Sequence, residues 1–102
     1  MTAVGDSVRV EHDEARRRFI ALVDDEELAV LSYRRRDGAL DLLHTEVNSR
    51  ARGRGIGEAL VKQVLDEVRE RGDRVLASCP FVAAFVRDHG EYEDLLSARG
   101  SA

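Results

Sequence analysis

Three glycines at alternate positions constrain this chain more than any other feature. They lie in the run Arg52–Gly57, which reads RGRGIG, between the strand-like segment Ala39–Val47 and a strongly amphipathic segment. From Ile56 to Val68, apolar residues recur at steps of three and four, which predicts an amphipathic helix. The glycines are therefore predicted to join a strand to the first turn of a helix, because glycine permits the sharp turns that such a junction needs.

This junction predicts an anion-binding loop. The first turn of a helix leaves backbone N–H groups without partners and carries the positive end of the helix dipole. Glycines let a phosphate approach the main chain, Arg52 and Arg54 add positive charge, and no Ser, Thr, Asp or Asn caps the helix. A pyrophosphate is therefore the predicted class of ligand, and a tight turn with surface arginines is the alternative.

The spacing excludes two other phosphate-binding loops. No Gly-Lys-Ser or Gly-Lys-Thr ends the segment, so it is not a nucleotide P-loop. Glu58, Ala59 and Leu60 follow Gly57, which breaks the G-x-G-x-x-G pattern. The place about 20 residues later, Val75–Cys79, also lacks the acidic residue that binds a ribose in dinucleotide-binding folds.

The residues before the loop predict a four-stranded antiparallel meander over residues 7–47. Short apolar or alternating segments are separated by the turn signals Asp24–Asp25 and Asp37–Gly38. The predicted strands are Val8–His12, Arg18–Val23, Leu28–Tyr33 and Ala39–Val47.

The residues after the loop predict a helix, a strand and a second helix. The long helix starts at Ile56 and stops before Gly72. The strand Arg74–Ser78 is expected to pair in parallel through a right-handed crossover. Pro80 opens the second helix, Phe81–His89, and residues 97–102 are expected to fray.

Composition and charge bound the possible classes of protein. The 102 residues, 43% of them hydrophobic, fit a single domain, residues 1–102. No apolar run reaches the ~18–20 residues of a membrane span, the N-terminus is polar, and Cys79 is the only cysteine. We therefore expect a cytoplasmic protein with no membrane partner, no disulfide and no metal site. With 16 basic and 20 acidic residues, nucleic-acid binding is a poor default.

The loop also resembles a known family. Arg52-x-x-Gly55-x-Gly57 is similar to the Q/R-x-x-G-x-G/A signature of the GCN5-related N-acetyltransferases. The segment Cys79–Phe85, CPFVAAF, resembles the Asn-Pro-x-Ala segment of that family. The short chain, the run His44–Val47 and the Cys79–Pro80 pair look like its small, stand-alone, YjdJ-like branch. The resemblance covers residues 39–96.

The resemblance implies an α+β fold in the order β-β-β-β-α-β-α. Its mixed, mostly antiparallel sheet would splay as a V between the strand ending at Val47 and the strand Arg74–Ser78. Acetyl-CoA or CoA would lie in this gap as a co-substrate. The residues implied in binding it are Val47, Arg52, Gly53, Arg54, Gly55, Ile56 and Gly57, with Cys79 and Phe85 at the thiol end.

The implied activity is acetyl transfer to an unidentified amine by direct attack in a ternary complex. A main-chain N–H near Val47 would stabilise the oxyanion, and a base would deprotonate the amine. Glu46 is the first candidate for this base, and His44 and Asp41 are the others. The alternative for each of them is a solvated or structural side chain with no role in the reaction. His44 and Glu46 share one face of their strand unless a bulge intervenes.

The sequence departs from the family pattern at three places. Val86 stands where the family often has a tyrosine that protonates the thiolate, so Tyr92 is either a substitute or a packed ring. Cys79 replaces the usual asparagine. It is interpreted as a transient acyl carrier, as an acceptor-side contact or as a small buried residue with no chemical role. Only Asp13–Arg17 separates the first two strands, so the helices that usually cover the acceptor are missing.

Two other functions remain open at this point. The missing tyrosine and the open acceptor site suit a CoA-binding module with little catalysis. Two arginine triplets stand at Arg16–Arg18 and Arg34–Arg36. They are interpreted as solvated strand ends, as contacts for the adenosine 3′-phosphate or as contacts for an acidic partner. The last interpretation gives a weaker hypothesis, an RNA- or protein-binding adaptor. The acceptor, a small molecule or a protein, is not predicted, and a monomer or a homodimer is expected.

Overall fold

A five-stranded mixed sheet organises residues 8–97, the part of the chain that the computed structural model describes. The elements in chain order are β1 (Arg9–Asp13), β2 (Arg18–Val23), β3 (Glu26–Arg36), β4 (Ala39–Val47), a 3-10 turn (Ser49–Ala51), α1 (Ile56–Arg71), β5 (Val75–Ala77), α2 (Pro80–Asp88) and a 3-10 segment (Gly90–Leu95). The strands stand in the order β1-β2-β3-β4-β5. The predicted α+β fold and its element order are confirmed.

The antiparallel meander of β1 to β4 is joined by short turns. Asp24 and Asp25 have φ of 50° and 65°, and Asp37 and Gly38 have φ of 54° and 80°. Two consecutive residues with positive φ are the mark of the type I′ hairpin, whose twist matches that of the strands. Both predicted turns are therefore present. The strand predicted as Leu28–Tyr33 is longer at both ends.

The pairing of β4 with β5 is parallel and short. Leu40–Leu42 pairs with Val75–Ala77, and the Cys79 N–H donates to the Leu42 carbonyl at 2.8 Å. After Leu42, β4 continues to Val47, and no strand among the described residues pairs with the edge of this part that faces away from β3. Here β5 ends and the pairing stops, which leaves the edge of β4 open where the V-shaped splay was predicted.

A bulge in β4 lies at the same place. Tyr33 pairs with Leu42, but the preceding Ser32 pairs with His44, so Leu43 is the extra residue. A bulge bends its strand and increases the local twist. Because the bulge comes before both, His44 and Glu46 share one face of the sheet.

Both helices pack on the other face. The buried residues of α1 are Ile56, Gly57, Leu60, Val61, Val64, Leu65 and Val68. They form one core cluster with Leu31 and Leu42 of the sheet and with Val82 and Phe85 of α2. Helix α1 ends as predicted at Gly72, which has a φ of 73°.

The opposite face carries no helix within residues 8–97 and is called the helix-free face below. Ile20, Val30 and Glu46 stand next to one another across β2, β3 and β4 on this face. None of the helices in this part of the chain is both long and apolar enough to cross a membrane. Of the predicted frayed tail, Ser97 is described and its N–H donates to the Val75 carbonyl at 2.8 Å. Residues 98–102 lie outside the described residues.

Tyr92 ties the C-terminal segment to α1. Its hydroxyl donates to Asp66 Oδ1 at 2.7 Å, and Lys62 Nζ donates to the other oxygen at 3.0 Å. Burial raises the pKa of Asp66, but these two hydrogen bonds outweigh it, so the pKa lies below its ordinary range. Burial and the bond to Asp66 raise the pKa of Tyr92.

Replacing Tyr92 by phenylalanine keeps the ring and removes its hydrogen bond. Because Asp66 is 45% exposed, we expect the free energy of unfolding to fall by only about 1 kcal/mol at neutral pH. The bond favours the ionised carboxyl. Its contribution is therefore complete above the ordinary aspartate pKa of about 4 and is lost as the pH falls through the lowered pKa of the folded protein.

Urea unfolding of both proteins at about pH 7 and about pH 3 measures this effect. The difference between Tyr92→Phe and the unaltered chain should narrow in acid. A difference that stays constant or widens there would contradict the assignment of this hydrogen bond to the ionised form of Asp66.

Candidate functional site

The glycine loop lies between the end of β4 and α1, as predicted. Gly53 and Gly55 have φ of 79° and 77°, a left-handed conformation that costs other residues about 1–2 kcal/mol. Gly55 caps the N-terminus of α1 and supplies no side-chain hydrogen bond. The glycines thus allow the chain to turn while leaving the helix end uncapped.

Several backbone N–H groups of this loop have no hydrogen-bond partner within residues 8–97. The Arg54 N–H donates to the Ala51 carbonyl at 3.3 Å, and the Ala59 N–H donates to the Gly55 carbonyl at 3.0 Å. The amides that remain unpaired are those of Gly53, Gly55, Ile56, Gly57 and Glu58. Unpaired amides at the positive end of a helix form an anion-binding site.

Two arginines add mobile positive charge beside these amides. Arg52 and Arg54 are exposed, and neither forms an ion pair with another described residue. The arginine triplets behave differently, because Arg34 and Arg36 lie near Asp41 and Arg16 lies near Asp13. Arg52 and Arg54 are therefore more available to bind an anion than these arginines of the triplets are.

The loop borders an open cleft of about 500 Å³. Its lining residues are Thr45, Val47, Ala51, Arg52, Gly53, Gly55, Ile56, Gly57, Glu58 and Phe81. Six of the residues implied in cofactor binding thus come together here, from Val47 to Gly57. Arg54 belongs to the same loop but does not line the cleft.

The free edge of β4 forms one wall of this cleft. The Asn48 N–H donates to the Leu28 carbonyl of β3 at 2.7 Å. Backbone groups alternate between the two edges of an antiparallel strand, so those of Val47 and Thr45 point away from β3. They point into the splay, where an extended ligand could bind as an added strand does.

Gly57 permits a close approach between α1, α2 and β4. A Cβ at this position would lie 3.0 Å from Phe81 Cζ and 3.2 Å from Val47 Cγ2. The side chain of Phe81 therefore lies against the first turn of α1. Its ring is 37% exposed, and it forms the wall of the cleft opposite the loop.

The structure buries both residues expected at the thiol end. Cys79 is 3% exposed and caps α2, with its Sγ 3.5 Å from the hydroxyl of Thr45. Cys79 therefore does not line the cleft itself but contacts Thr45, which does. Phe85 is in the core and stacks on His89 with ring centroids 4.0 Å apart; Phe81, one turn earlier in α2, borders the cleft.

The candidate proton donor, Tyr92, does not line the cleft. Val86 is buried, and Tyr92, its suggested substitute, is 4% exposed and donates to Asp66 on α1. The interpretation of Tyr92 as a packed ring fits this placement.

The candidate bases lie on the helix-free face. His44 Nε2 is 3.5 Å from Glu46 Oε2, and their side chains are 64% and 76% exposed. They line a second cleft of about 520 Å³, which shares Thr45, Val47 and Arg52 with the first. The two clefts therefore meet at the free end of β4.

Asp41 is placed differently from the other candidate bases. It is 0% exposed and accepts a hydrogen bond from Ser78 at 2.6 Å, so it is closed to a substrate. Within residues 8–97, no group of three His, Cys, Asp or Glu side chains is placed to hold a metal ion.

This fold and this loop are those of the GCN5-related N-acetyltransferase family. The chain belongs to the family described as GCN5-related N-acetyl-transferase, whose pattern matches residues 18–95, and the resemblance stated above is confirmed. It is 40% identical to Protein NATD1 of Bos taurus over 83% of this chain and 77% of that protein. For Protein NATD1 of Homo sapiens the identity is 38%, with the same two shares.

Solved structures agree with this assignment. A GCN5-like protein of Staphylococcus aureus, solved by NMR, superposes with a TM-score of 0.67 and 26% identity, covering 89% of each chain. A ribosomal-protein-alanine N-acetyltransferase from Brucella melitensis biovar Abortus 2308 gives a TM-score of 0.53 at 23% identity. The match covers 79% of this chain and 61% of that one, and it supports the fold.

The contact at Gly57 yields a stability prediction. Alanine in place of glycine within a helix ordinarily stabilises by about 0.5–1 kcal/mol, but overpacking costs about 1–3 kcal/mol. We expect Gly57→Ala to destabilise the protein, and Phe81→Ala to reduce that cost in a double-mutant cycle followed by urea unfolding.

Gly90→Ala is the matched control, because a Cβ at Gly90 would meet nothing within 4 Å. Its effect should stay within about 0.5 kcal/mol. Stabilisation by Gly57→Ala, or a cost that Phe81→Ala leaves unchanged, would contradict the close packing at this position.

Proposed function

We propose that this protein is an acetyl-CoA-dependent N-acetyltransferase in which an amine attacks the thioester directly. The observation that carries the proposal is the group of unpaired amides, those of Gly53 and Gly55–Glu58, beside a cleft bounded by the free edge of β4. These features provide hydrogen-bond donors for a diphosphate and a strand edge along which an extended chain such as pantetheine can bind. Acetyl-CoA contains both parts in one molecule.

The loop would hold the pyrophosphate. Charge-assisted hydrogen bonds from main-chain amides are stronger than neutral ones, and Arg52 and Arg54 would compensate the charge that remains. The pantetheine arm would then run along the edge of β4, where Thr45 and Val47 present their backbone groups. This direction leads toward Cys79, which contacts Thr45.

The reaction needs an uncharged amine at the thioester carbon. The nitrogen lone pair forms the new C–N bond, the C–S bond breaks, and the sulfur leaves as a thiolate that takes a proton from solvent. The amine loses one proton to a base. A main-chain N–H at the edge of β4, near Val47, would stabilise the developing oxyanion.

We assign the base role to Glu46, with His44 beside it. Both lie in the cleft that meets the first cleft at the end of β4, so either group could accept the proton directly or through one water. Their exposure fits an acceptor that approaches from the helix-free face. Since no described helix covers that face, the acceptor can be a side chain or terminus of a protein as well as a small amine.

Direct attack suits the surroundings of Cys79 better than an acyl-enzyme. A cysteine nucleophile is normally activated by a neighbouring base. The hydroxyl of Thr45 is the one polar side-chain group within hydrogen-bond distance of Sγ among residues 8–97. Cys79 is therefore proposed as a contact at the thiol end of the co-substrate.

A single free cysteine fits a reducing compartment, which supports a cytoplasmic location. A monomer or a homodimer is proposed, with the amine acceptor as the partner and no role for nucleic acid or membrane. The ion pairs of the arginine triplets weaken the adaptor alternative.

Calorimetric titration with CoA and acetyl-CoA tests the binding site. Arg52→Ala should weaken binding about tenfold by removing a charged contact, and adding Gly55→Val should abolish it, because valine resists the left-handed conformation. No binding to the unaltered chain at millimolar ligand, or full binding by the double variant, would contradict the site.

Gly38→Val is the control for backbone strain. Gly38 has a φ of 80°, close to the 77° of Gly55, and likewise has nothing within 4 Å of an added Cβ. It lies in the turn between β3 and β4, away from the glycine loop. We expect this variant to bind CoA like the unaltered chain under conditions in which it is folded.

Thioester turnover with a set of amines tests the chemistry. Glu46→Gln should lower kcat about 100-fold or more and leave acetyl-CoA binding unchanged. Direct attack further predicts that Cys79→Ala retains transfer. A stable acetyl group on the unaltered protein, absent from Cys79→Ala, would instead show a covalent route, and binding without turnover by any amine would show a CoA-binding module.

A further inference from the structure

Asp41 is the one buried charged residue among residues 8–97, and the proposed reaction does not use it. It pairs with Leu76 in the middle of the short contact between β4 and β5. Its neighbours Leu40 and Leu42 belong to the core, so the side chain of Asp41 points to the helix-free face. A buried carboxylate is costly unless it is hydrogen-bonded, and its partners therefore indicate its role.

The closest of these partners is Ser78. The hydroxyl of Ser78 donates to Asp41 Oδ1 at 2.6 Å. The other oxygen, Oδ2, lies 3.3 Å from Arg34 Nε and 3.7 Å from Arg36 Nη1. The two guanidinium groups balance the buried charge, while the hydroxyl joins it to another part of the chain.

That part is the β5–α2 junction, Ser78–Cys79, where β5 leaves β4. Three contacts hold this junction on β4. They are the Ser78–Asp41 bond, the bond from the Cys79 N–H to the Leu42 carbonyl at 2.8 Å, and the Cys79–Thr45 contact at 3.5 Å. Beyond them the splay opens.

An apolar pair at this place could stabilise the fold equally well, because replacing a buried ion pair by packed apolar residues is often neutral or favourable. Apolar contacts have no direction, however, whereas the hydroxyl–carboxylate bond fixes the junction in one position. Asp41 thus contributes a fixed position of the junction at the start of the splay, and not additional stability.

We propose that Asp41 is a positioning residue that holds Cys79 and the start of α2 in place through Ser78. It touches neither the co-substrate nor the acceptor. The fixing of the junction follows from these contacts alone, whereas its effect on acetyl transfer rests on the proposed function.

Labelling of Cys79 by N-ethylmaleimide in the folded protein tests the position of the junction. Cys79 is the only cysteine of the chain and is 3% exposed, so labelling requires the junction to open. Ser78→Ala and Asp41→Asn should each raise the labelling rate about tenfold or more, since each weakens a charge-assisted bond. Ser78→Thr keeps the hydroxyl and should stay within about twofold of the unaltered chain.

Asp66→Asn is the matched control. Asp66 also accepts a hydrogen bond from a hydroxyl, that of Tyr92 at 2.7 Å, but it lies on α1 and not at the junction. The free energy of unfolding of each variant, measured in urea, gives the part of labelling that follows global stability. Faster labelling of Ser78→Ala than of Asp66→Asn at matched stability supports the proposal, and equal labelling overturns it.

Kinetics add a second readout if the chain turns over acetyl-CoA. Because the junction lies at the thiol end, away from the diphosphate loop, Asp41→Asn should lower kcat and leave KM for acetyl-CoA within about twofold. A rise in KM at constant kcat would overturn the assignment. A protein that binds no CoA would refute the proposed function, while the labelling comparison would still decide the role of Asp41.

Discussion

The separation of β4 from β5 after a short parallel contact is the constraint on which the rest of the molecule depends. The bulge at Leu43 bends β4 on one side of the gap. On the other side, Pro80 turns the chain from β5 into α2 directly after Cys79. If the strands had stayed paired, the edge of β4 would be covered by β5. Because they part, that edge is available for a ligand.

The glycine loop depends on the same separation. Helix α1 follows β4 after a 3-10 turn and the glycine loop, so the unpaired amides of the loop and of the first turn lie at the cleft beside the gap. Gly57 lets Phe81 of α2 lie against the first turn of α1. Both helices pack on one face of the sheet. The other face, with His44 and Glu46, is left for an acceptor. The proposed binding of the co-substrate and the proposed access of the acceptor thus both depend on one feature of the sheet.

Local signals in the sequence predicted most of the fold. The Asp37–Gly38 turn, the apolar stripe of α1 and its stop at Gly72 each depend on residues close in the chain, so their patterns were sufficient. The resemblance to the acetyltransferase family added the splay and the expectation that the co-substrate binds in it. The position of the cleft-lining loop residues then followed from their place between β4 and α1.

The remaining details depend on contacts between distant segments. The rotation of α2 about its axis decides that Phe81 borders the cleft and Phe85 lies in the core, and nine residues of helix leave that rotation undetermined. A bulge shifts every later side chain in a strand, so the face on which Glu46 lies required the register at Leu43. Asp41 precedes the bulge, and its burial goes with contacts to Arg34, Arg36 and Ser78. The bond between Asp41 and Ser78 joins residues 37 positions apart.

A titration of the ¹⁵N-labelled protein with CoA, followed by amide NMR, tests the central claim most directly. The account predicts that the largest shift changes occur at the amides of Gly53 and Gly55–Glu58, with smaller ones at Thr45 and Val47, and that the Gly38 amide stays still. Shifts confined to other parts of the sheet, or none at saturating CoA, would contradict it.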